Sequence, residues 1–292
     1  MDSDNIVRAR GTVLAVACGG GACRTLEGNE SRLGYPLMKI NTDGRSVTYS
    51  RNSGDPGTRG DMVLASGIVR ENTEDLKKVF RNYRTVLLFL MAGGGTGTGM
   101  APVILEAARE CGCRTVVIMG LPLKFEDRRR GDMKEYIEGI SAFADRMFLS
   151  DEQTMMMMNP DTEARWVFTR MANSLFFAVK SIADLLSGPF YTTFPHKTYT
   201  FVYESDANPA AAAEKMVSFA VGNMDGYSGR IVVAVGSDFS DIESRAVTDK
   251  IAGISGILPD IIHREDAEGS RFLAFFSLWE SDFTSFPILY HI

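Results

Sequence analysis

Residues 93–99 read GGGTGTG and separate the apolar run 85–91 (TVLLFLM) from a segment with helical character that begins at Ala101. Five of these seven residues are glycine, which removes side chains and lets successive backbone N–H groups converge on one point. A following helix adds its own free N–H groups and the positive end of its dipole, and Thr96 and Thr98 add hydroxyl donors. The stretch therefore predicts a phosphate-binding loop between a buried strand and a helix; the alternative is a purely structural glycine turn.

A second glycine loop follows the first predicted strand. Residues 12–18 (TVLAVAC) form a short apolar run that ends in Gly19, Gly20 and Gly21. The Walker pattern is absent, because no lysine stands directly after either glycine run. Asp43 lies ~20 residues beyond the first loop, the distance at which a dinucleotide-binding fold places the acid that holds a ribose. Spacing alone therefore leaves an oxidoreductase with a nicotinamide cofactor open as a hypothesis.

Strand-like and helix-like segments alternate along the first half of the chain. Further apolar strands are predicted at residues 37–41 and 115–119. They lack polar alternation, which favours strands covered on both faces, as in parallel sheets. Helices are predicted between the strands, at residues 71–80, 101–111 (with Pro102 in the first turn) and 127–143. This alternation predicts an α/β fold with a doubly wound parallel sheet.

A long buried helix and a smaller α/β unit are predicted in the second half. Residues 163–186 keep apolar side chains at i, i+3 and i+4 and add apolar bulk on other sides; such a helix would be ~36 Å long. The strands expected after it lie at residues 198–203, 230–235, 257–262 and 272–277, and the helices at residues 209–221 and 241–254. We therefore expect a nucleotide-binding domain over residues 1–162, a central helix over 163–187, and a smaller C-terminal domain with a short tail over 188–292.

Composition narrows the class of protein. The chain is 45% hydrophobic and 23% charged with a net charge of −6, so it is expected to fold and is a poor candidate for nucleic-acid binding, which depends on phosphate neutralisation. No apolar run approaches the ~20 residues that span a bilayer, which predicts a cytoplasmic protein without membrane insertion. The four cysteines have no zinc-site spacing, so free buried thiols and no protein metal site are expected.

The two glycine loops resemble those of the tubulin/FtsZ superfamily, FtsZ in particular, and the resemblance extends over nearly the whole chain. GGGTGTG followed by Ala101-Pro102-Val103 resembles the most specific loop of the superfamily, and Gly19 to Gly21 match its first loop. A segment similar to V-N-T-D is formed by Ile40, Asn41, Thr42 and Asp43. A stretch similar to K-P-F-x-F-E-G-x-x-R is matched at Pro122, Phe125, Glu126 and Arg130. Phe168 and Asn173 match two positions of the central helix, and residues 228–238 resemble the start of the second domain.

The resemblance implies that the chain binds GTP or GDP, with Mg²⁺ held through the phosphates. The glycine loops would hold the phosphates, Glu126 would bind the ribose, and Arg130 would lie at the sugar and phosphates. Phe168 would stack on guanine, and Asn173 would bond its edge. The nucleotide-binding residues expected from the resemblance are Gly19, Gly20, Gly21, Asn41, Asp43, Gly57, Gly93, Gly94, Gly95, Thr96, Gly97, Thr98, Gly99, Glu126, Arg130, Phe168 and Asn173.

One residue and one short segment of the expected phosphate loops depart from the superfamily's pattern. Ala22 stands where the superfamily has an asparagine in its first loop. Residues 57–61 (GTRGD) match only loosely a G-A-G-A-type loop that lies near the γ-phosphate. We expect Gly57 and its neighbours to sense that phosphate, and a solvated loop is the alternative.

A third departure concerns hydrolysis. In FtsZ, acids of the pattern N-x-D-x-x-D follow the central helix and enter the nucleotide site of the next subunit, where carboxylates orient the attacking water. The corresponding residues 187–203 contain no Asp or Glu, and Thr193, Pro195 and Thr198 stand in the places of those residues. Losing such a group costs ~10²–10⁴ in rate. The resemblance therefore implies nucleotide binding with slow or absent hydrolysis and no catalytic residue here.

Four functions follow from these observations. The first is an FtsZ-like protein that assembles with itself head to tail into filaments and hydrolyses GTP poorly. The second is an active GTPase that uses a substitute group such as His196. The third is a regulator that does not polymerise and caps the filament of an FtsZ that keeps its acids; a membrane-tethering adaptor is a further candidate partner. The fourth is the oxidoreductase that uses Asp43. Sequence leaves open the biological process and the role of the apolar tail, residues 281–292.

Overall fold

The computed structural model describes residues 11–42, 57–123, 133–158, 160–161, 163–186, 190–205, 208–223, 227–236, 238–264 and 271–278. Its elements, numbered in chain order, are β1 (Gly11–Cys18), α1 (Gly20–Leu26), α2 (Glu30–Leu33), β2 (Leu37–Ile40), α3 (Met62–Glu71), α4 (Thr73–Phe80), β3 (Tyr83–Met91), α5 (Gly95–Glu110), β4 (Arg114–Leu121), α6 (Met133–Ser141), β5 (Arg146–Asp151), α7 (Glu152–Met157), α8 (Ala164–Leu185), α9 (Phe190–Thr193), β6 (Thr198–Ser205), α10 (Pro209–Asn223), β7 (Tyr227–Gly236), α11 (Asp241–Ser255), β8 (Asp260–Arg264) and β9 (Arg271–Leu278).

In the described part of the chain, nine strands form one sheet in the order β2-β1-β3-β4-β5-β6-β9-β7-β8. The pairs from β2 through β6 are parallel, whereas β9 runs antiparallel to both β6 and β7. This mostly parallel sheet confirms the predicted α/β fold. The strands that follow α8 continue the same sheet through the β5–β6 pair, and the division at residues 162 and 187 stays a prediction.

Helices cover both faces of the sheet, which explains why its strands lack polar alternation. On one face, α3 to α6, α10 and α11 share one apolar core with strand residues such as Val86, Leu88 and Val233. On the other face, α1 and α8 pack on Leu87 and Phe89. Successive residues of β3 therefore point into opposite layers, as the two-residue period of a strand requires.

The helix after the glycine stretch 93–99 begins earlier than predicted. Helix α5 begins at Gly95 rather than at Ala101, so part of the glycine stretch is itself helical. Pro102 consequently lies inside the helix and not in its first turn, and its ring leaves the Thr98 carbonyl without the usual i+4 donor. The prediction failed because glycine's low helix propensity is outweighed by close packing of this helix on the segment before α3, described below.

Other elements follow the sequence prediction with shifted ends. The helix predicted at 71–80 is α4, which begins after Asn72, and the helix before it, α3, was not predicted. Strand β5 was not predicted either. The helix predicted at 127–143 is described only from Met133 to Ser141.

Among the described residues, no helix has both the length and the apolar character needed to cross a bilayer.

Candidate functional site

A cleft of about 230 Å³ opens where β1 and β3 end and α1 and α5 begin. These strands are neighbours and parallel, so their carboxyl ends reach the same edge of the sheet, where open α/β sheets bind ligands. Its walls include most of the residues predicted to hold phosphates, namely Gly19, Gly20, Gly21, Asn41, Gly57, Gly94, Gly95, Thr96 and Gly97.

Gly19 joins the two glycine loops. Its φ is 87°, a left-handed conformation that side chains disfavour, and its N–H donates to the Ile40 carbonyl at 2.8 Å. A Cβ atom at Gly19 would lie 2.9 Å from the Gly97 nitrogen, closer than such atoms approach. Only glycine at this position lets the loop after β1 touch the first turn of α5.

Two helices direct their N-termini toward the cleft. Helix α1 has Gly19 as its N-cap and α5 has Gly94, and neither receives a side-chain cap. The first N–H groups of a helix have no acceptor within the helix and carry the positive end of its dipole. The cleft therefore presents backbone donors and partial positive charge, an arrangement that binds anions.

The turn at residues 57–61 forms a further wall of the cleft, and close packing against α5 fixes its position. A Cβ atom at Gly95 would lie 2.3 Å from Thr58 Oγ1 and 2.8 Å from the Asp61 nitrogen. One at Gly99 would lie 2.4 Å from the Met62 carbonyl oxygen. These glycines therefore allow α5 to lie directly on the backbone at the start of α3, a packing function that was not predicted for them.

Three threonine hydroxyls meet at this wall. Thr96 Oγ1 lies 2.7 Å from Thr42 Oγ1 and 3.4 Å from Thr58 Oγ1, so the turn, the loop after β2 and the first turn of α5 share one hydrogen-bonded cluster. Thr42 and Thr58 were not among the predicted phosphate-binding residues. Each directly follows a residue that was predicted, Asn41 and Gly57 respectively.

Two arginines at the cleft, Arg24 and Arg59, were also missed. Arg24 follows Gly20 by four residues on α1, and this spacing puts both on one helix face. Arg59 has a φ of 50° and lies in the turn between Thr58 and Gly60. Among the described residues that line the cleft there is no Asp or Glu.

The remaining predicted residues are only partly described. Asp43, Glu126 and Arg130 lie outside the described residues. Phe168 and Asn173 both belong to α8, where Asn173 is exposed and the side chain of Phe168 is outside the description.

Three residues of the glycine stretch do not line the cleft. Gly93 has a φ of 75° and turns the chain out of β3. Thr98 is buried, and its hydroxyl has no hydrogen-bond partner among the described residues. Gly99 packs on α3 as described above. The contact of Gly99 with Met62 assigns at least that residue of the stretch to packing.

The segment after the central helix folds into an aromatic cluster. Phe190, Phe194 and Tyr199 are buried and surround Phe148, whose ring centroid lies 5.1 Å from that of Phe194 and 5.5 Å from that of Tyr199. Phe275 on β9 also packs against Phe148. Apolar burial therefore holds this segment.

The three positions expected to replace catalytic acids have different environments. Pro195 is exposed and Thr193 half-buried, whereas Thr198 is buried at the start of β6. His196 is held against Tyr199, whose hydroxyl accepts from the His196 N–H at 3.2 Å. The next acid along the chain, Glu204, is buried and paired with Arg170 and with Lys215 Nζ at 2.6 Å. Residues 190–203 contain no carboxylate to offer a neighbouring molecule, and the carboxylate that follows them is paired within the chain.

Comparison with known proteins finds a family match over part of the chain. Residues 36–160 match the model of the Tubulin/FtsZ family, GTPase domain. Cell division protein FtsZ 1 of Archaeoglobus fulgidus is 29% identical over 196 residues, which are 61% of this chain and 52% of that protein. The matched region thus spans about half the length of this relative.

Solved structures share the fold over almost the whole chain. An FtsZ mutant from M. jannaschii superposes with a TM-score of 0.72 at 20% identity, covering 92% of this chain and 91% of that one. CetZ2 from Haloferax volcanii, solved as a GTPγS-bound protofilament, gives 0.62 at 13% identity, with 95% and 96% covered. By the family match over residues 36–160, the similarity to FtsZ 1 and the shared fold, the chain resembles the tubulin/FtsZ superfamily, and FtsZ in particular.

Proposed function

We propose that the chain binds GTP or GDP in the cleft between β1 and β3, assembles head to tail with copies of itself, and hydrolyses GTP slowly or not at all. The single observation that carries nucleotide binding is the meeting of two helix N-termini across Gly19 and Gly97. A phosphate chain there meets backbone N–H groups and partial positive charge. Asn41 and the threonine hydroxyls extend that donor surface.

The base and ribose contacts are part of the same proposal. Glu126 would bind the ribose, Arg130 would lie at the sugar and phosphates, and Phe168 and Asn173 would hold guanine. Asp43 would be a further nucleotide-binding residue. Support comes from their match to the superfamily pattern and from the presence of Phe168 and Asn173 on one helix, α8.

Mg²⁺ would enter with the nucleotide. Proteins hold this ion through one or two carboxylates together with substrate phosphates. The described wall of the cleft offers hydroxyls and one side-chain amide but no carboxylate. Phosphate oxygens would therefore be the main ligands of Mg²⁺, and Thr42, Thr58 and Thr96 are the hydroxyl side chains that could add to them. Bound there, the ion supplies charge neutralisation.

Slow hydrolysis is proposed from the segment after the central helix. In a head-to-tail contact this segment would face the nucleotide of the next subunit, where a carboxylate would orient water. Residues 190–203 offer none, and the first acid after them, Glu204, is buried in ion pairs. We therefore expect turnover to be lower by the ~10²–10⁴ that such a group contributes.

Self-assembly is proposed because the CetZ2 relative was solved as a protofilament. A head-to-tail contact is heterologous, and such contacts extend into open filaments. We also propose a cytoplasmic location, with a membrane-tethering adaptor or an acid-containing FtsZ as candidate partners.

Light scattering and phosphate release, followed in one sample, test assembly and hydrolysis together. Scattering should rise with GTP and with a slowly hydrolysed analogue, and phosphate should accumulate far more slowly than subunits assemble. Phosphate release at rates usual for FtsZ would favour a substitute catalytic group instead. Absence of scattering, with shortening of filaments of an acid-containing FtsZ, would favour the capping regulator.

A matched pair of glycine variants tests the binding site. Gly19 and Gly28 both have left-handed φ values, 87° and 76°, so alanine strains both backbones. Only at Gly19 does the added Cβ meet another loop; nothing lies within 4 Å at Gly28. Calorimetric titration should find GTP binding lost in Gly19→Ala and kept in Gly28→Ala. Equal affinity in both variants would place the nucleotide elsewhere.

A further inference from the structure

We propose that Arg24 and Arg59 form a pair of cations that neutralises the nucleotide phosphates from two separate segments of the cleft wall. The inference rests on the proposed function and adds two phosphate-binding residues that the family resemblance did not identify. Arg24 comes from α1 and Arg59 from the turn at residues 57–61, and both line the same cavity. Each is exposed, so an incoming ligand can reach them.

The guanidinium of Arg24 is turned back over the first turn of its own helix. A Cβ atom at Gly20 would lie 3.2 Å from Arg24 Nη1 and 3.7 Å from Asn41 Nδ2, so two side-chain N–H donor groups lie near the start of α1. A cation near a helix N-terminus is disfavoured by the helix dipole. Among the described residues no carboxylate pairs with Arg24. This concentration of positive groups is what a bound anion would stabilise.

Arg59 is held in an unusual backbone conformation in the turn at residues 57–61. Its φ is 50°, and it is the one non-glycine residue of the described chain with a positive φ. The turn that carries it is anchored on both sides: Thr58 lies against Gly95, and the Asp61 side chain accepts from the Leu64 N–H at 2.8 Å. The anchored turn directs a side chain with five donors toward the cleft, and no ion pair with a described acid holds it away.

The charge balance of the cleft supports the assignment. Its described lining contains two arginines and no acid, although the chain as a whole carries a net charge of −6. Arginine presents a planar fork that matches phosphate oxygens in pairs. The two side chains would therefore share, with the backbone N–H groups, the negative charge of the phosphates.

Calorimetric titration with GTP in EDTA tests the pair, because EDTA removes divalent cations that would otherwise shield the phosphates. The variants are Arg24→Gln, Arg24→Lys and Arg59→Asn, the last because asparagine tolerates the left-handed conformation. Arg84→Gln is the matched control, since Arg84 is exposed at the start of β3, the opposite end of the strand from the cleft. Circular dichroism checks that each variant is folded.

Arg24→Gln and Arg59→Asn should each lose roughly tenfold or more in affinity, the usual effect of removing a charged hydrogen bond. Arg24→Lys should keep much of the affinity, and Arg84→Gln should equal the wild type. If wild-type protein binds GTP and Arg24→Gln and Arg59→Asn bind it equally well, the arginine proposal is wrong while the proposed function stands. If wild-type protein binds no guanine nucleotide, the proposed function itself fails.

Discussion

Replacing Gly99 by alanine tests whether the glycine stretch is a packing element as well as a phosphate loop. Gly99 lies in the helix α5, where alanine normally stabilises by up to ~1 kcal/mol because glycine has a low helix propensity. At this position the new Cβ would lie 2.4 Å from the Met62 carbonyl oxygen and 2.8 Å from the Met62 Cα. Both are backbone atoms, so α3 must move away from α5.

The clash should outweigh the gain in helix propensity. Overpacking a well-packed interior costs ~1–3 kcal/mol, and contact with backbone at this distance belongs at the upper end. After subtracting the propensity gain, Gly99→Ala should lower the free energy of unfolding by about 1–2 kcal/mol. At roughly 2–4 °C per kcal/mol, the melting temperature should fall by several degrees.

Gly67→Ala is the matched control for this experiment. Gly67 is an exposed residue inside α3, and a Cβ atom there meets nothing within 4 Å. The same substitution should therefore raise stability by about 0.5–1 kcal/mol. Thermal unfolding followed by circular dichroism measures both variants. A Gly99→Ala protein that melts at or above the wild-type temperature would refute the proposed contact between α5 and α3.

Three further predictions concern the parts around the cleft. Asp61→Ala removes the side-chain cap of α3 and should cost about 1 kcal/mol in denaturant unfolding, whereas Asp61→Asn should cost little; equal losses would contradict the cap. All four cysteines are buried thiols that form no disulfide, and burial raises the pKa of the Cys18 thiol. A thiol reagent should therefore modify few or none of them in the native protein and four after denaturation; rapid labelling of four in the native protein would contradict this packing. Ser240 and Glu243 form a capping box at the start of α11, and hydrogen bonds from Ser240 lower the pKa of Glu243. The stability that this box adds should be present above the ordinary pKa of a glutamate and be lost as pH falls through the lowered value. A Glu243→Gln variant whose stability changes with acid pH as in the wild type would contradict this.

Much of the fold follows from local patterns in the sequence. The runs 85–91 and 115–119 are apolar at nearly every position, and the structure places them as β3 and β4, covered on both faces. The central helix, predicted at 163–186, spans Ala164–Leu185. These elements could be predicted because burial on all sides leaves a direct mark on composition.

The start of α5 and the functions of its glycines could not be predicted in the same way. Gly95 and Gly99 are poor helix formers, yet they are helical because Thr58, Asp61 and Met62 pack against them. That contact joins segments far apart in the sequence. Tertiary packing therefore decides these residues, and local propensity does not.

The arginines of the cleft were missed for a different reason. An exposed arginine on a short helix or in a turn is usually a solvated surface residue, and nothing in its local sequence distinguishes Arg24 or Arg59. Their position became evident only from the distances to Gly20 and the shared cavity. The Gly20–Arg24 spacing was the one available signal.

The nucleotide extracted from the purified protein tests the main proposal in a single measurement. The chain is incubated with GTP, passed over a desalting column, kept for increasing times, denatured, and its released nucleotide is separated and quantified. We predict close to one guanine nucleotide per chain, recovered largely as GTP even after long incubation. Recovery of no guanine nucleotide, or of GDP formed as fast as in an FtsZ with its catalytic acids, would contradict the account.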